Sequence, residues 1–304
     1  MKYPHPWGEN ATEEMAAADV LLMAVPFDGA VSNAKGAAEA PDRMRELSRI
    51  LPPVTEEGDC FGELKVCDVG DVPVMLDWPR YYDAVEKKAG ELVATGKPCV
   101  FLGGDHSVTI PLITAFANTY PNEKIGIIHF DSHPDIISEY DGHGWSHACT
   151  QRRAVELNNV DPGGLSFVGL RSFMEEELEF FAKHPEITVF KARDVYMQGQ
   201  AAIVEQLVEH YRHYQRIYLT LDIDVLDPAF APGTGTPEAG GLSSRELMEM
   251  VRALMTRLPI QVVDLVEVSP PLDHSNITSW AALKVIYEVF GVLFRRQSNS
   301  LKEG

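Results

Sequence analysis

The chain has 304 residues, 45% of them hydrophobic, enough to bury a substantial core as one large α/β domain or two small ones. Its 45 acidic against 26 basic residues give a formal net charge of -19, which argues against a nucleic-acid or anionic-membrane surface and suits a cationic substrate, although much of that charge can serve solubility alone. Four cysteines, Cys60, Cys67, Cys99 and Cys149, form no CxxC pair, no leader opens the chain and no run approaches the ~20 apolar residues of a membrane span, so a reducing, cytoplasmic setting is expected.

In chain order, short apolar runs at 20–25, 64–69, 99–102, 125–130, 165–169, 187–190, 217–221 and 260–266 predict buried parallel strands. Between them, Tyr82, Val85, Ala89, Leu92 and Val93 fall on one helical face, as do Leu247, Met250, Val251, Leu254 and Leu258, the second helix opening on a capping box from Ser243 to Glu246. Repeated strand–helix units with right-handed crossovers follow, and with no Pro-, Gly- or Ser-rich linker, residues 1–304 read as a single α/β domain. The irregular stretch 138–151 is the expected functional loop, and the charged tail after Phe294 is expected to fray.

Polar clusters gather at the predicted carboxyl ends of strands, where ligands collect in open α/β sheets. Gly103-Gly104-Asp105-His106-Ser107 follows one strand; its glycines permit a sharp turn that presents His106, which alone would more often be a structural hydrogen-bonder. Asp131-Ser132-His133-Pro134-Asp135 follows another, and Asp222-Ile223-Asp224 a third. Side chains two apart on an extended strand share a face, so the five ligand-type residues are expected to converge. The competing account is a cap-and-turn cluster, made reasonable by Pro134. Asp227, before Pro228, reads as a turn starter and is left off the ligand set.

With His106, this is more than one ion needs, whereas two ions ~3.5–4 Å apart can share bridging carboxylates and lower the pKa of a bound water to roughly 7. Oxygen and nitrogen donors without thiolate suit Mn²⁺ best, with Zn²⁺, Co²⁺ or Ni²⁺ harder to exclude. The Gly/Pro-punctuated loop 231–241 brings backbone close to a ligand or is an ordinary connection. Glu267, after the last strand, suits a planar cation gripped through paired hydrogen bonds, a buried structural ion pair being the alternative.

Together, GGDHS at Gly103, HFDSHPDI at His129, LDIDVLDPAFAPGTGTPEAGG at Leu221 and EVSPP at Glu267 closely resemble the ureohydrolase family of arginases, agmatinases and related guanidino-acid hydrolases. Val25-Pro26-Phe27-Asp28 and Asp273 to Thr278 look more like the agmatinase branch. The resemblance implies a three-layer α/β/α sandwich around a mainly parallel sheet and two Mn²⁺ per subunit. One would be held by His106, Asp131, Asp135 and Asp222, the other by Asp131, His133, Asp222 and Asp224. It further implies attack of metal-activated hydroxide on a guanidinium carbon, oriented by Asp135, with Glu267 binding the guanidinium and His147 transferring a proton, a role that fits imidazole.

The implied reaction is cleavage of a linear guanidino compound, agmatine first, to urea and an amine, putrescine, which would belong to polyamine metabolism. The implied assembly is a homo-oligomer, a trimer or hexamer. Guanidinobutyrase, guanidinopropionase, arginase and formimidoylglutamase chemistry are the nearest alternatives. Two-metal hydrolysis of an amide or phosphoester is another, opposed by Glu267 where an anion would want Arg or Lys. A metal-dependent binding or assembly subunit is the non-catalytic alternative. The sequence departs from the agmatinase pattern at 148–151 and at 32–41, two segments expected to bear on the substrate's tail, and His143 competes with His147 for the proton-transfer role.

Overall fold

The computed structural model of the chain describes residues 2–303, with side chains described through Ser298. The apolar runs become strands β1 (Val20–Val25), β2 (Val66–Asp71), β3 (Cys99–Gly103), β4 (Ile125–Phe130), β5 (Leu165–Leu170), β6 (Thr188–Lys191), β7 (Arg216–Asp222) and β8 (Ile260–Val266). Between and after them lie α1 (Ala40–Ser48), α2 (Trp78–Val93), α3 (Thr109–Thr119), α4 (Thr150–Ala154), α5 (Glu175–Lys183), α6 (Ala192–Gln198), α7 (Gln200–Tyr211), α8 (Ser244–Arg257) and α9 (Ile277–Glu303). The run expected to start a strand at residue 64 does so only at Val66, because the Leu64 N–H closes a turn onto Phe61 O at 3.0 Å.

The strands form one sheet in the order β2-β1-β3-β8-β7-β4-β5-β6, and every recorded pairing is parallel. Alternate side chains of each strand serve opposite faces. Val20, Leu22, Val100, Ile128, Leu219 and Val263 pack with α1 and α6 to α9, whereas Leu21, Met23, Phe101, Ile127, Phe167 and Tyr218 pack with α2 to α5. The result is the expected α/β/α sandwich, with a core on each side of the sheet. The predicted faces of α2 and α8 are buried, and Ser243 and Glu246 form the reciprocal cap, with Ser243 N donating to Glu246 Oε2 at 2.8 Å.

The C-terminal helix corrects two expectations. Residues 277–298 are long and apolar enough, at a mean hydropathy of 1.5, to cross a membrane by length and composition; 72% of that apolar window is buried in the fold, where the helix serves as a core element against α8 and α1. The tail beyond Phe294 continues as helix to Glu303 rather than fraying there, while its side chains past Ser298 lie outside the described residues. All four cysteines are free; Cys60 is exposed and the other three are buried.

Four neighbouring central strands, β3, β8, β7 and β4, point their carboxyl ends at one place, and His106, Glu267, Asp222 and Asp131 follow or end those strands. The loop 138–151 is not structureless: Tyr140 and His143 close a two-residue turn, and a 3₁₀ turn at His147–Cys149 leads into α4.

Candidate metal centre

The turn after β3 needs its second glycine, because a Cβ on Gly104 would stand 1.8 Å from Phe27 O. That close approach lets Asp105 N donate to Phe27 O at 2.7 Å and Glu267 N donate to Gly104 O at 2.8 Å, so the ends of β1, β3 and β8 are tied together. Asp105 caps the following 3₁₀ turn by accepting from Ser107 N at 3.0 Å, and His106 is carried inward with no exposed surface.

His106 Nδ1 then faces three carboxylate oxygens: Asp131 Oδ2 at 3.0 Å, Asp135 Oδ2 at 3.1 Å and Asp222 Oδ2 at 3.2 Å. Next to it, His133 Nδ1 lies 3.2 Å from Asp224 Oδ2 and 3.5 Å from Asp131 Oδ1. Asp131 therefore has one oxygen in each group. All six residues expected as ligands come together, but not by the expected route. Asp131, His133 and Asp135 lie beyond the end of β4, the first two in bends and Asp135 in irregular chain with a left-handed φ of 50°. The every-other-residue convergence comes from Asx turns, in which Asp131 Oδ1 accepts from His133 N at 2.6 Å and Asp222 Oδ1 accepts from Asp224 N at 2.8 Å.

A second difference concerns Asp222. Its Oδ2 sits with His106, whereas the group around His133 that is tight enough for one ion comprises Asp131, His133 and Asp224. Sequence reasoning also passed over His129, the one polar side chain in the β4 run, which is fully buried with Nε2 2.7 Å from Asp131 Oδ2 and its ring 4.9 Å from that of His106. A histidine within an otherwise apolar strand just before the first aspartate was the available signal. Ser132 adds a further support unseen in the sequence, its N–H and hydroxyl donating to Asp224 Oδ1 at 3.0 and 2.8 Å.

The donor set fits divalent cations. His106 Nε2 lies 2.9 Å from Thr220 Oγ1, so a proton on Nε2 leaves Nδ1 as a lone pair aimed at carboxylate oxygens, an arrangement that only a cation or an extra proton makes favourable. The recorded ion-pair partners of Asp131, Asp135, Asp222 and Asp224 are all imidazoles. Burial, then Asp224 and Asp131, push the Asp222 carboxyl well above the usual range. Burial opposes charge on His106, yet Asp131, Asp135 and Asp222 raise it well above an ordinary imidazole. Cations relieve this crowding of like charge, and an oxygen–nitrogen set without thiolate suits Mn²⁺-class ions.

Glu267 and His147 flank the cluster. Glu267 is buried, has a left-handed φ of 62°, and accepts from His106 N at 2.8 Å through Oε1. Gly235 borders its other oxygen, since a Cβ there would lie 3.9 Å from Glu267 Oε2, so the 231–241 loop does approach the site by backbone. His147 Nδ1 is 3.5 Å from Glu267 Oε1, and its Nε2 accepts from Ser32 N at 3.2 Å. Burial opposes charge on this ring, while Glu267 pushes its pKa up to about 9. Ser32 N faces Nε2 and Glu267 faces Nδ1, so the proton that the carboxylate favours sits on Nδ1. His143 instead stacks edge-on to Trp78 at 4.9 Å and accepts from Trp145 N at 3.2 Å.

The two departures from the agmatinase pattern separate here. Cys149, Thr150 and Gln151 are buried, and Thr150 Oγ1 donates to His106 O at 3.1 Å, so this stretch packs behind the cluster. The 32–41 segment lies over the site, Ser32 on His147 and Asn33 Nδ2 on Gly235 O at 2.7 Å. As the sequence suggested, Asp227 is a turn residue, its Oδ1 accepting from Ala229 N at 2.9 Å and its Oδ2 from Gly240 N at 2.8 Å.

A model of the arginase family matches residues 18–291. The agmatinase of Bacillus subtilis (strain 168) is 36% identical over 279 residues, covering 91% of this chain and 92% of that one. Among solved structures, the agmatine ureohydrolase of Thermoplasma volcanium superposes with a TM-score of 0.86 at 27% identity, covering 99% of this chain and 96% of its own. Proclavaminate amidino hydrolase from Streptomyces clavuligerus gives 0.88 at 27% identity, with 97% and 98% covered.

Proposed function

The chain belongs to the arginase family and is a hydrolase of amidino C–N bonds, and on that premise we propose that it cleaves agmatine to urea and putrescine. The observation that carries this reading is the buried Glu267 carboxylate beside the paired Asp/His groups, a planar anion set where a planar guanidinium can meet it.

In this reading residues 1–304 form one catalytic domain. His106, Asp131, Asp135 and Asp222 would hold one Mn²⁺, and Asp131, His133, Asp222 and Asp224 the other. Two such cations supply, when bound, a water acidified to a pKa of roughly 7 and charge to balance the developing anion. Glu267 accepts two guanidinium N–H groups and fixes the plane of the substrate's reacting carbon. Asp135, whose backbone is pinned by Gln151 N donating to its carbonyl at 2.8 Å, accepts a hydrogen bond from the attacking water and aims it. His147 Nδ1, on the Glu267 side of its ring, delivers a proton to the departing amine nitrogen as the C–N bond breaks. Water thus adds its oxygen to carbon and its protons to the products, one of which is urea.

The same reading has the protein working in the cytoplasm on a small cationic guanidino substrate, as a homotrimer or hexamer, which light scattering checks. The direct experiment incubates Mn²⁺-loaded protein with agmatine, arginine, 4-guanidinobutyrate, 3-guanidinopropionate and formiminoglutamate. Urea, or formamide for the last, is measured before and after chelation. The reading expects urea from agmatine above all, lost on chelation and regained with Mn²⁺; absence of product from every guanidino compound overturns it.

A further inference from the structure

A cavity of about 500 Å³ opens beside His147. Ser32, whose N–H meets His147 Nε2 at 3.2 Å, and Tyr140, whose ring is 6.3 Å from that of His147, both lie on its wall, so it begins where the His147–Glu267 pair ends. Its lining includes the rings of Trp78, Tyr140 and His143, one carboxylate, Asp141, and no Lys or Arg among the described residues.

The Asp141 side chain is exposed, but its backbone is held in a turn. Tyr140 N donates to His143 O and His143 N to Tyr140 O, both at 3.0 Å, around two central residues with positive φ, Asp141 at 50° and Gly142 at 74°. That is a two-residue type I′ turn, for which Asp-Gly is a preferred pair. The turn fixes the backbone that carries the carboxylate, and the edge-on contact between His143 and Trp78 at 4.9 Å anchors it against α2.

We propose that this cavity receives the substrate's tail, and that Asp141, with the faces of Trp78 and Tyr140, selects a terminal ammonium over a terminal carboxylate. The inference rests on the proposed function and names the substrate class that site takes. An alkylammonium gains from the carboxylate and from aromatic faces, whereas a carboxylate tail meets Asp141 with no basic residue to offset it.

Agmatine and 4-guanidinobutyrate form a matched pair for the test, being of similar length and opposite in tail charge. Steady-state urea release is measured on the Mn²⁺-loaded protein, D141N, D141K and the conservative D141E, with circular dichroism and metal content confirming folded, loaded variants. The parent prefers agmatine. Agmatine kcat/KM falls about threefold in D141N and about tenfold in D141K, mainly through KM, while 4-guanidinobutyrate gains in D141K and D141E keeps the parental preference. Urea from both substrates with equal efficiency in the parent, or an unchanged substrate ratio in D141K and D141N, overturns this inference and leaves the ureohydrolase reading standing. Urea from no guanidino compound overturns both.

Discussion

Arg171 has no carboxylate among its recorded partners; its guanidinium donates to the carbonyls of Glu238 at 2.7 Å, Asp224 at 2.6 Å, Gly169 at 3.1 Å, Leu226 at 3.2 Å and Val225 at 3.3 Å. It thereby ties the end of β5 to the Asp222–Asp224 turn and to the 231–241 loop. Substitution by Leu keeps some of the packing and removes every donor. A hydrogen bond from a charged group is worth about 1.5–3 kcal/mol, and the two short bonds to Asp224 O and Glu238 O carry most of the total. Because Arg171 is only half-buried, water replaces part of what is lost, and we expect R171L to lose about 3–4 kcal/mol, which for a chain of this size is about 6–8 °C in Tm. Arg171→Lys offers one point donor in place of a planar fork and should recover less than half. Thermal melts give the stability, and metal content after dialysis against limiting Mn²⁺ reports the Asp224 side of the site. If R171L melts within about 2 °C of the parent and keeps its metal, the loops hold themselves and the clamp is incidental.

Replacing Glu267 by Gln removes the charge that faces the guanidinium; kcat/KM should fall at least about 100-fold, the equivalent of two charge-assisted bonds, with metal content unchanged, and retained activity would remove Glu267 from the site. His129→Phe deletes the contact with Asp131 while keeping an aromatic ring in the strand; Mn²⁺ affinity, read by isothermal calorimetry, should weaken about 10- to 100-fold, whereas unchanged affinity makes His129 a packing residue only. Glu177 is buried against Met174 N at 2.8 Å and Ile136 N at 3.4 Å, and burial pushes its carboxyl from 4.5 up to about 7. The folded state therefore keeps a proton that the unfolded chain has already released: its contribution is full below pH ~4.5 and is lost as pH rises toward ~7, by up to about 3 kcal/mol. Glu177→Gln should match the parent near pH 4.5 and exceed it at pH 8 in urea melts; identical pH profiles would refute the shift.

Much of the fold was legible because burial on both faces writes a parallel strand as an unbroken apolar run. Met23 and Leu22 serve opposite cores, yet both must be apolar, so periodicity marks the strand without marking its face. What the runs could not show is order. Strands β7 and β8 lie between β3 and β4, and that placement, rather than sequence proximity, brings Glu267 beside His106. The C-terminal helix overturned the expectation that no run approaches a membrane span for a related reason: α9 is covered by α1 and α8, so a core helix carries as much apolar length as a span would, and only tertiary packing distinguishes the two settings. His129 escaped notice because a buried histidine reads as one more member of an apolar strand until the aspartate it touches is known.

The spacing Asp-x-His and Asp-x-Asp pointed to residues that the fold does bring together, but through a different local geometry from the one expected. Extended strands place alternate side chains on one face, but Asp224 and His133 follow strands that have already ended. The operative unit is an aspartate that accepts from the N–H two residues later, and it recurs at Asp105, Asp131 and Asp222, at 3.0, 2.6 and 2.8 Å. In the last two, this bond engages Oδ1 and holds the carboxylate plane, so Oδ2 is directed at His106 at 3.0 and 3.2 Å. In Asp222 one oxygen shapes the turn and the other faces His106, whereas in Asp131 the oxygen that shapes the turn also faces the His133 ring at 3.5 Å. A glutamate at either position has an extra methylene and cannot make the same tight turn, which explains why the short acid is required where both tasks fall on one side chain. Glu267 stands outside that scheme: its own N–H is held by Gly104 O, its longer side chain reaches back to His106 N, and its second oxygen lies on the side of Gly235.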